Sequence, residues 1–290
     1  MDPIAEIKID ESLVTELVFK QFPELSHLEL KFVDEGWDNV NYKLGSEYLV
    51  RLPRRQLGAD LIKNEIKYLK EIAPKLSLPI PSPLFIGKPE SFYKWDWTVL
   101  PWFEGESADI EKPNKDQALR LAEFLKNLHH QKIIGPKSAN RGVSLLEKQE
   151  ALIPRMERLK NKTNYFNSHI QTLWNQSLKI DSNHHSNLLH GDLHARNIVV
   201  KDGIIQAIID WGDICSGDPA TDLASFWMLF PDKKIREEAL EFYGVDRDLK
   251  SKSIGWAIYF ATVLLDTGME SNARHAKMGE LTFQNLMSEK

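Results

Sequence analysis

The sequence predicts an α+β fold of two lobes, and three observations predict it. The first hundred residues alternate as strands do, and the remainder carries apolar residues at helical spacing. Leu100-Pro101-Trp102 joins the two parts, which places a strand-rich lobe over residues 1–101 and a mostly helical lobe over 102–290. Such a pair is expected to leave a cleft between its lobes. The length of 290 residues allows one large or two modest domains with a sizeable core.

The elements follow in order. Residues 12–22 read as an amphipathic helix stopped by Pro23, and LELKFV (28–33) as a strand. NVNYKLGSEYLVRLP (39–53) reads as two strands joined at Gly45-Ser46. In DLIKNEIKYLKEIA (60–73), Leu61, Ile62, Ile66, Leu69, Ile72 and Ala73 recur at helical spacing. LPIPSP (78–83) holds too much proline for either element and is an extended connector. WTVLPWF (97–103) is the next strand. Helices are then expected over 116–129, 145–160, 165–178, 220–230, 233–243, 252–266 and 275–287. Among them stands LLHGDLHARNIVVKDGIIQAIIDWGD (188–213), where Asp202-Gly203 supplies hairpin-turn chemistry between two apolar runs.

Composition excludes several functions. Apolar residues at 42% and charged residues at 27% are those of a globular protein. A formal net charge of −5 offers nucleic-acid phosphates no basic surface. The single cysteine, Cys215, cannot form an internal disulfide and suits a reducing cytoplasm. MDPIAEIKID has neither the basic nor the apolar region of a secretory signal. The longest apolar run, 254–265, is shorter than the ~20 residues that span a bilayer, so no membrane is expected.

The hairpin returns Asp210 beside Asn197, which shares a loop with Asp192. Phosphoryl transfer asks for such groups: hard oxygen ligands for magnesium and a carboxylate to orient an acceptor hydroxyl. HGDLHARN (190–197) resembles the catalytic loop of protein kinases, with the same five-residue step from Asp to Asn. It is closer still to the aminoglycoside phosphotransferase family. IDWGD (209–213) and GDPATDLA (217–224) match that family's next two blocks, and the macrolide branch shows a run like Arg51 to Arg55.

The resemblance implies a bilobal, protein-kinase-like fold with the nucleotide held by the amino-terminal lobe. It implies Asp192 as catalytic base and Asn197 and Asp210 as Mg2+ ligands, with His190 and Asp222 supporting the loop. Arg51 takes the phosphate-binding place usually held by lysine, and arginine can clamp phosphate oxygens in a bidentate way. Its expected partner is Glu65, which projects from the apolar face of its helix and should therefore be paired, whereas Glu71 reads as solvated. Leu100 to Phe103, with Leu100 and Trp102, would form the hinge that meets the base of ATP or GTP. The loop Asp34 to Asn39 stands where a glycine-rich loop belongs, with one glycine. The expected reaction moves a γ-phosphate to a hydroxyl of a small molecule, an aminoglycoside-type antibiotic first, a macrolide or a sugar-alcohol metabolite as alternatives. Glu237, Glu238, Glu241, Asp266 and Glu270 are candidate acceptor carboxylates, while the aromatic stretch 256–260 would suit a more apolar acceptor.

Plainer readings stand beside these. Arg51 and Glu65 could form a surface ion pair, and Asp222 could cap a helix. His184 and His185 read as solvated loop residues, and His190 with His194 offers too few ligands for zinc. Trp227, Trp256, Tyr259 and Phe260 read as core, and Asp213 and Cys215 take no role. GDLHA (191–195) also resembles the GDxHG box of metallophosphoesterases, but that family's downstream GNH[ED] block is missing. A nucleotide-binding protein without catalysis is the remaining alternative, opposed by the intact Asp192, Asn197 and Asp210.

Overall fold

A computed structural model describes residues 4–180 and 186–289, so His184 and His185 lie outside the described residues. The chain divides into two compact units, Met1–Pro74 with Pro79–Glu104, and Lys75–Leu78 with Gly105–Lys290.

The first unit opens with α1 (Glu11–Gln21), whose first turn is capped by Asp10 accepting from the Leu13 amide at 3.1 Å. Strands β1 (Leu30–Glu35), β2 (Asn39–Leu44) and β3 (Tyr48–Pro53) precede α2 (Gln56–Ile72), followed by β4 (Phe85–Gly87) and β5 (Trp97–Pro101). They form an antiparallel sheet in the order β1-β2-β3-β5-β4. Gly45, at φ 61°, turns the β2–β3 hairpin and sets Asn41 opposite Arg51. The alternation in β3 then sends Val50 and Leu52 into a core with Val14, Leu17, Val40, Tyr42, Trp97 and Val99. Strand β4 escapes the sequence reading because three residues are too few to show a period.

The second unit carries β6 (Glu106–Ser107), α3 (Gln117–His129), α4 (Leu145–Lys162), α5 (Ser168–Ser177) and β7 (Asn187–Leu189). Next come β8 (Ile198–Lys201), β9 (Ile204–Ile208), β10 (Cys215–Gly217), α6 (Ala220–Leu223) and α7 (Ser225–Leu229). The chain closes with α8 (Lys233–Tyr243), α9 (Arg247–Ser271) and α10 (Ala273–Leu286). Helix α9 packs against α4, α5, α6 and α10, and α3 against α8. Its buried Trp256, Ile258, Phe260 and Leu265, with Trp227 of α7, are core residues, as their helical spacing indicates.

Two differences from the sequence reading have physical causes. The single helix expected over 220–230 is two short ones, because at Ala224 the bonding steps from Ala224 N→Ala220 O to a three-residue Trp227 N→Ala224 O link. Apolar spacing does not encode that change. Helix α9 starts five residues before the expected 252, where Asp246 caps it by accepting from the Leu249 amide at 2.7 Å. Among the described residues, no helix is long and apolar enough to cross a membrane.

Candidate active site

The β8–β9 hairpin is the device that positions the second unit's polar residues. Asp202 (φ 54°) and Gly203 (φ 73°) are consecutive left-handed residues, the conformation a two-residue primed turn demands. The pairing runs from Lys201 opposite Ile204 to Ile198 opposite Ile208, and the Ile209 amide then bonds Asn197 O at 2.9 Å. Asp210 follows directly, exposed, at φ 62°.

The loop from His190 to Asn197 is held from below by Asp222, whose carboxylate is fully buried. Its Oδ2 accepts from the His190 amide at 2.7 Å and its Oδ1 from the Gly191 amide at 2.9 Å. His129 Nε2 stands 3.1 Å from Oδ2. Burial pushes the Asp222 carboxyl up, but the His129 bond and charge, with the Gly191 amide, outweigh it and hold it below the usual range. Asp222 lies inside α6 and is not its cap. Gly191 takes φ 87°, and a Cβ there would run into the Asp213 carbonyl, so only glycine fits between His190 and Asp192.

His190 is fixed in one tautomer by its neighbours. The Asp192 amide can only donate, so Nδ1 accepts it at 3.2 Å, and Nε2 carries the hydrogen toward Ile209 O at 2.9 Å. Its ring lies against Trp211, 4.7 Å between centroids. Loop and hairpin are thereby joined through one imidazole. Asn197 donates from Nδ2 to Asp192 O at 2.9 Å, which turns its amide oxygen the other way as a hard donor.

Asp192 keeps its side chain 23% exposed. Arg141 Nη2 lies 2.6 Å from Oδ1, and His194 Nε2 lies 3.4 Å from Oδ2. Burial raises its pKa, but the charges of His194 and Arg141 prevail and hold it well below the ordinary carboxylate range. Asp213, 3.6 Å from Arg141 Nη2, is shifted upward by burial despite that cation, with Asp192 and Asp210 adding their repulsion. Arg141 is the residue that sequence reasoning missed. It belongs to no periodic segment and no motif; the one local signal is Arg-Gly ahead of the Ser144 helix cap.

In the first unit, Arg51 Nη1 meets Glu65 Oε1 at 3.1 Å, with Glu65 1% exposed. The pair is buried, so the surface reading is set aside. Asn39, oriented to suit its neighbours, accepts from Arg51 Nη2 at 3.0 Å and Nε at 3.2 Å. The neighbouring arginines are also engaged: Arg54 donates to Gly36 O at 3.0 Å, and Arg55 to Asp38 Oδ1. They hold the loop from Asp34 to Asn39. Leu100 is buried in β5 opposite Leu49. The Trp102 amide is spent on Glu47 O at 2.7 Å, and its indole Nε1 on Glu104.

Of the acidic candidates for an acceptor, Glu237, Glu238 and Asp266 have cationic partners. Glu237 pairs with Lys233 and Lys250, and Glu238 with Lys234, on the face of α8, where Glu241 is also exposed. Asp266 is gripped by Arg155 Nη1 at 2.8 Å and by Arg158 Nη2 at 2.6 Å, with Glu270 exposed one turn beyond. The Glu237 and Glu238 pairs with Lys233 and Lys234 are local, one turn along the helix, whereas the arginines on Asp266 come from α4. Among the described residues, no three His, Cys, Asp or Glu side chains could hold a metal by themselves. Magnesium bound partly through phosphate oxygens and water needs fewer.

Comparison with known proteins adds the following. Residues 29–252 match the model of the phosphotransferase enzyme family. The uncharacterized protein YcbJ of Bacillus subtilis (strain 168) is 24% identical over 219 residues, 69% of this chain and 68% of its own. The GDP and kanamycin complex of APH(2")-IIIa aligns with a TM-score of 0.67 at 18% identity, over 96% of this chain and 99% of that one. Macrolide 2'-phosphotransferase MphH from Brachybacterium faecium gives 0.62 at 20% identity, over 94% and 97%. The streptomycin–ATP complex of APH(2")-IIa gives 0.59 at 20% identity, over 98% of each chain. These likenesses give the fold, which is that of the protein-kinase-like phosphotransferases.

Proposed function

The chain belongs to the phosphotransferase enzyme family and is a phosphotransferase acting on hydroxyl groups, and from that premise we propose the reaction and the residues that carry it. The γ-phosphoryl group of ATP or GTP passes, with Mg2+, to a hydroxyl of a small molecule. Asp192 orients that hydroxyl and takes its proton. One observation carries this reading: the hydrogen bonds Ile209 N→Asn197 O and Asn197 Nδ2→Asp192 O link residues 192 and 197 to the strand end that Asp210 directly follows.

Asn197 and Asp210 fit a magnesium ion, since both present hard oxygen and Asn197 spends its nitrogen inside the loop. When bound, the ion neutralises charge on the phosphate oxygens. The chain's own residues do the rest. Asp222 and His190 hold the loop, and Asp192, ionised at neutral pH, accepts the hydroxyl proton. The buried Arg51–Glu65 pair serves the nucleotide phosphates in the first unit, and the stretch from Leu100 to Trp102 the base. The GDP and ATP complexes of the structural neighbours support a nucleotide co-substrate.

For the acceptor, those neighbours suggest an aminoglycoside-type antibiotic, with resistance as the role, or a macrolide. One observation favours the less cationic choice, a macrolide or a sugar-alcohol metabolite: Asp266, the most buried of the acceptor candidates, is already held by two arginines. A cytoplasmic enzyme suits a nucleoside triphosphate as donor.

A nucleotide-consumption screen with ATP and GTP across aminoglycosides, macrolides and polyols tests the reading. Asp192→Ala should lower turnover by about 10²–10⁴-fold. Full activity in that variant would refute the assigned base.

A further inference from the structure

Arg141 is the charged residue nearest the reacting carboxylate that the proposed reaction leaves without a task. Its Nη2 holds Asp192 Oδ1 at 2.6 Å and reaches Asp213 Oδ2 at 3.6 Å, and its Cζ lies 5.2 Å from the centre of the Phe260 ring. The side chain is 19% exposed, and Nε is buried without a hydrogen-bond partner.

The loop that presents Arg141 is pinned on both sides. Ser138 Oγ accepts from the Asn140 and Arg141 amides at 3.1 and 3.0 Å. Lys148 Nζ donates to Ala139 O at 2.5 Å and to Asn140 Oδ1 at 3.0 Å. On the far side the Gly142 amide donates to Thr221 Oγ1 at 3.1 Å, and Gly142 O accepts from the Asp218 amide at 2.9 Å. Gly142 takes φ 65° and lies so close to Gly217 that a side chain at either would meet the other's backbone. Elements far apart in sequence thus fix this cation against the loop of Asp192.

We propose that Arg141 is a specificity-determining residue that turns away polycationic acceptors in favour of hydroxyl compounds that carry at most one positive charge. This rests on the reading of Asp192 as the base. A polyamine needs carboxylates to receive its ammonium groups. Around this loop the acids are already engaged: Arg141 bonds Asp192 and lies 3.6 Å from Asp213, Asp109 holds Arg274, and Asp218 holds Lys252. Asp222 is used by His129 and two backbone amides. Asp210 is assigned to the metal. On another flank of the loop, Arg196 Nη1 sits 2.7 Å from His275 Nε2, which adds positive charge. An ammonium group bonded to Asp192 would come within about 5 Å of the guanidinium, where like charges cost on the order of a hundredfold in affinity at an effective dielectric near 20.

The test is calorimetric titration of kanamycin into the nucleotide-free, full-length protein, with wild type, Arg141→Met and Arg141→Lys compared. Methionine keeps length and packing against Phe260 while removing the charge; lysine keeps the charge. Wild type and Arg141→Lys should bind weakly, and Arg141→Met at least tenfold more tightly. Tight binding by wild type or by Arg141→Lys, or no gain in Arg141→Met, overturns the proposal. Should thermal unfolding show that Arg141→Met does not fold, Arg141→Gln is read the same way. No turnover is involved, so failure of the phosphotransfer reading shows in the Asp192→Ala assay and failure of this one shows here.

Discussion

Asp222 carries more of the site's geometry than any residue that meets substrate. Its two oxygens satisfy the His190 and Gly191 amides, and both amides lie where water cannot replace it. Asp222→Ala leaves those donors unpaired and His129 without its carboxylate. The expected loss of stability is about 3–5 kcal/mol, read as a lower urea midpoint with the slope unchanged. Asp222→Asn retains one accepting oxygen and should lose less. Equal midpoints for wild type and Asp222→Ala would contradict the brace. At this scale residue type and spacing single out Asp192, Asn197 and Asp210 in the sequence, and the structure bonds Asn197 Nδ2 to Asp192 O. Arg141 was not legible, since its importance arises only when residues 138–142 pack on 217–221.

At the scale of elements, the β8–β9 hairpin was legible because Asp-Gly imposes a turn and the flanking apolar runs have strand length. Strands β7 and β10 were not. Each has three residues, and their pairing, Leu189 with Cys215 and Asn187 with Gly217, depends on contacts across 26 residues of chain or more. The β3–α2 relation was legible from the lone carboxylate on an apolar helix face, and Glu65 does meet Arg51 in a buried pair. Glu65→Ala strands the Arg51 charge in the interior of the first unit. A loss of about 3–5 kcal/mol is expected, together with a raised KM for the nucleotide. An unchanged melting temperature would show that the pair does not matter to the fold. The glutamates of α8 pair with lysines one turn away, Glu237 with Lys233 and Glu238 with Lys234, a relation that their spacing in sequence also carries.

For the whole molecule, the two units bring different physics to pH. Asp109, Asp222, Asp266 and Glu289 all have carboxyls held below their ordinary values, by bonds and charges from Arg274, His129, Arg158 with Arg155, and Arg236 that overcome the upward push of burial. A depressed folded-state pKa gives stability that is fully present above the unfolded value near 4 and disappears as pH falls through the folded value. All four lie in the second unit. That unit should therefore lose stability first as pH drops below about 4, while Asp213, shifted upward, works weakly in the opposite sense. Amide hydrogen exchange across an acid titration follows this, with peptides from 105–289 expected to lose protection before peptides from 4–74 and 79–104. Synchronous loss of protection in both units near neutral pH would contradict it.

On the proposed assignment, Asp210 serves the metal-bound nucleotide while Asp192 serves the acceptor. Calorimetric titration of ATP and GTP, each with and without Mg2+, into wild type, Asp192→Asn and Asp210→Asn tests it most directly. Magnesium should strengthen nucleotide binding to wild type and to Asp192→Asn, and Asp210→Asn should lose that gain. Magnesium dependence that survives in Asp210→Asn, or vanishes in Asp192→Asn alone, would contradict the assignment.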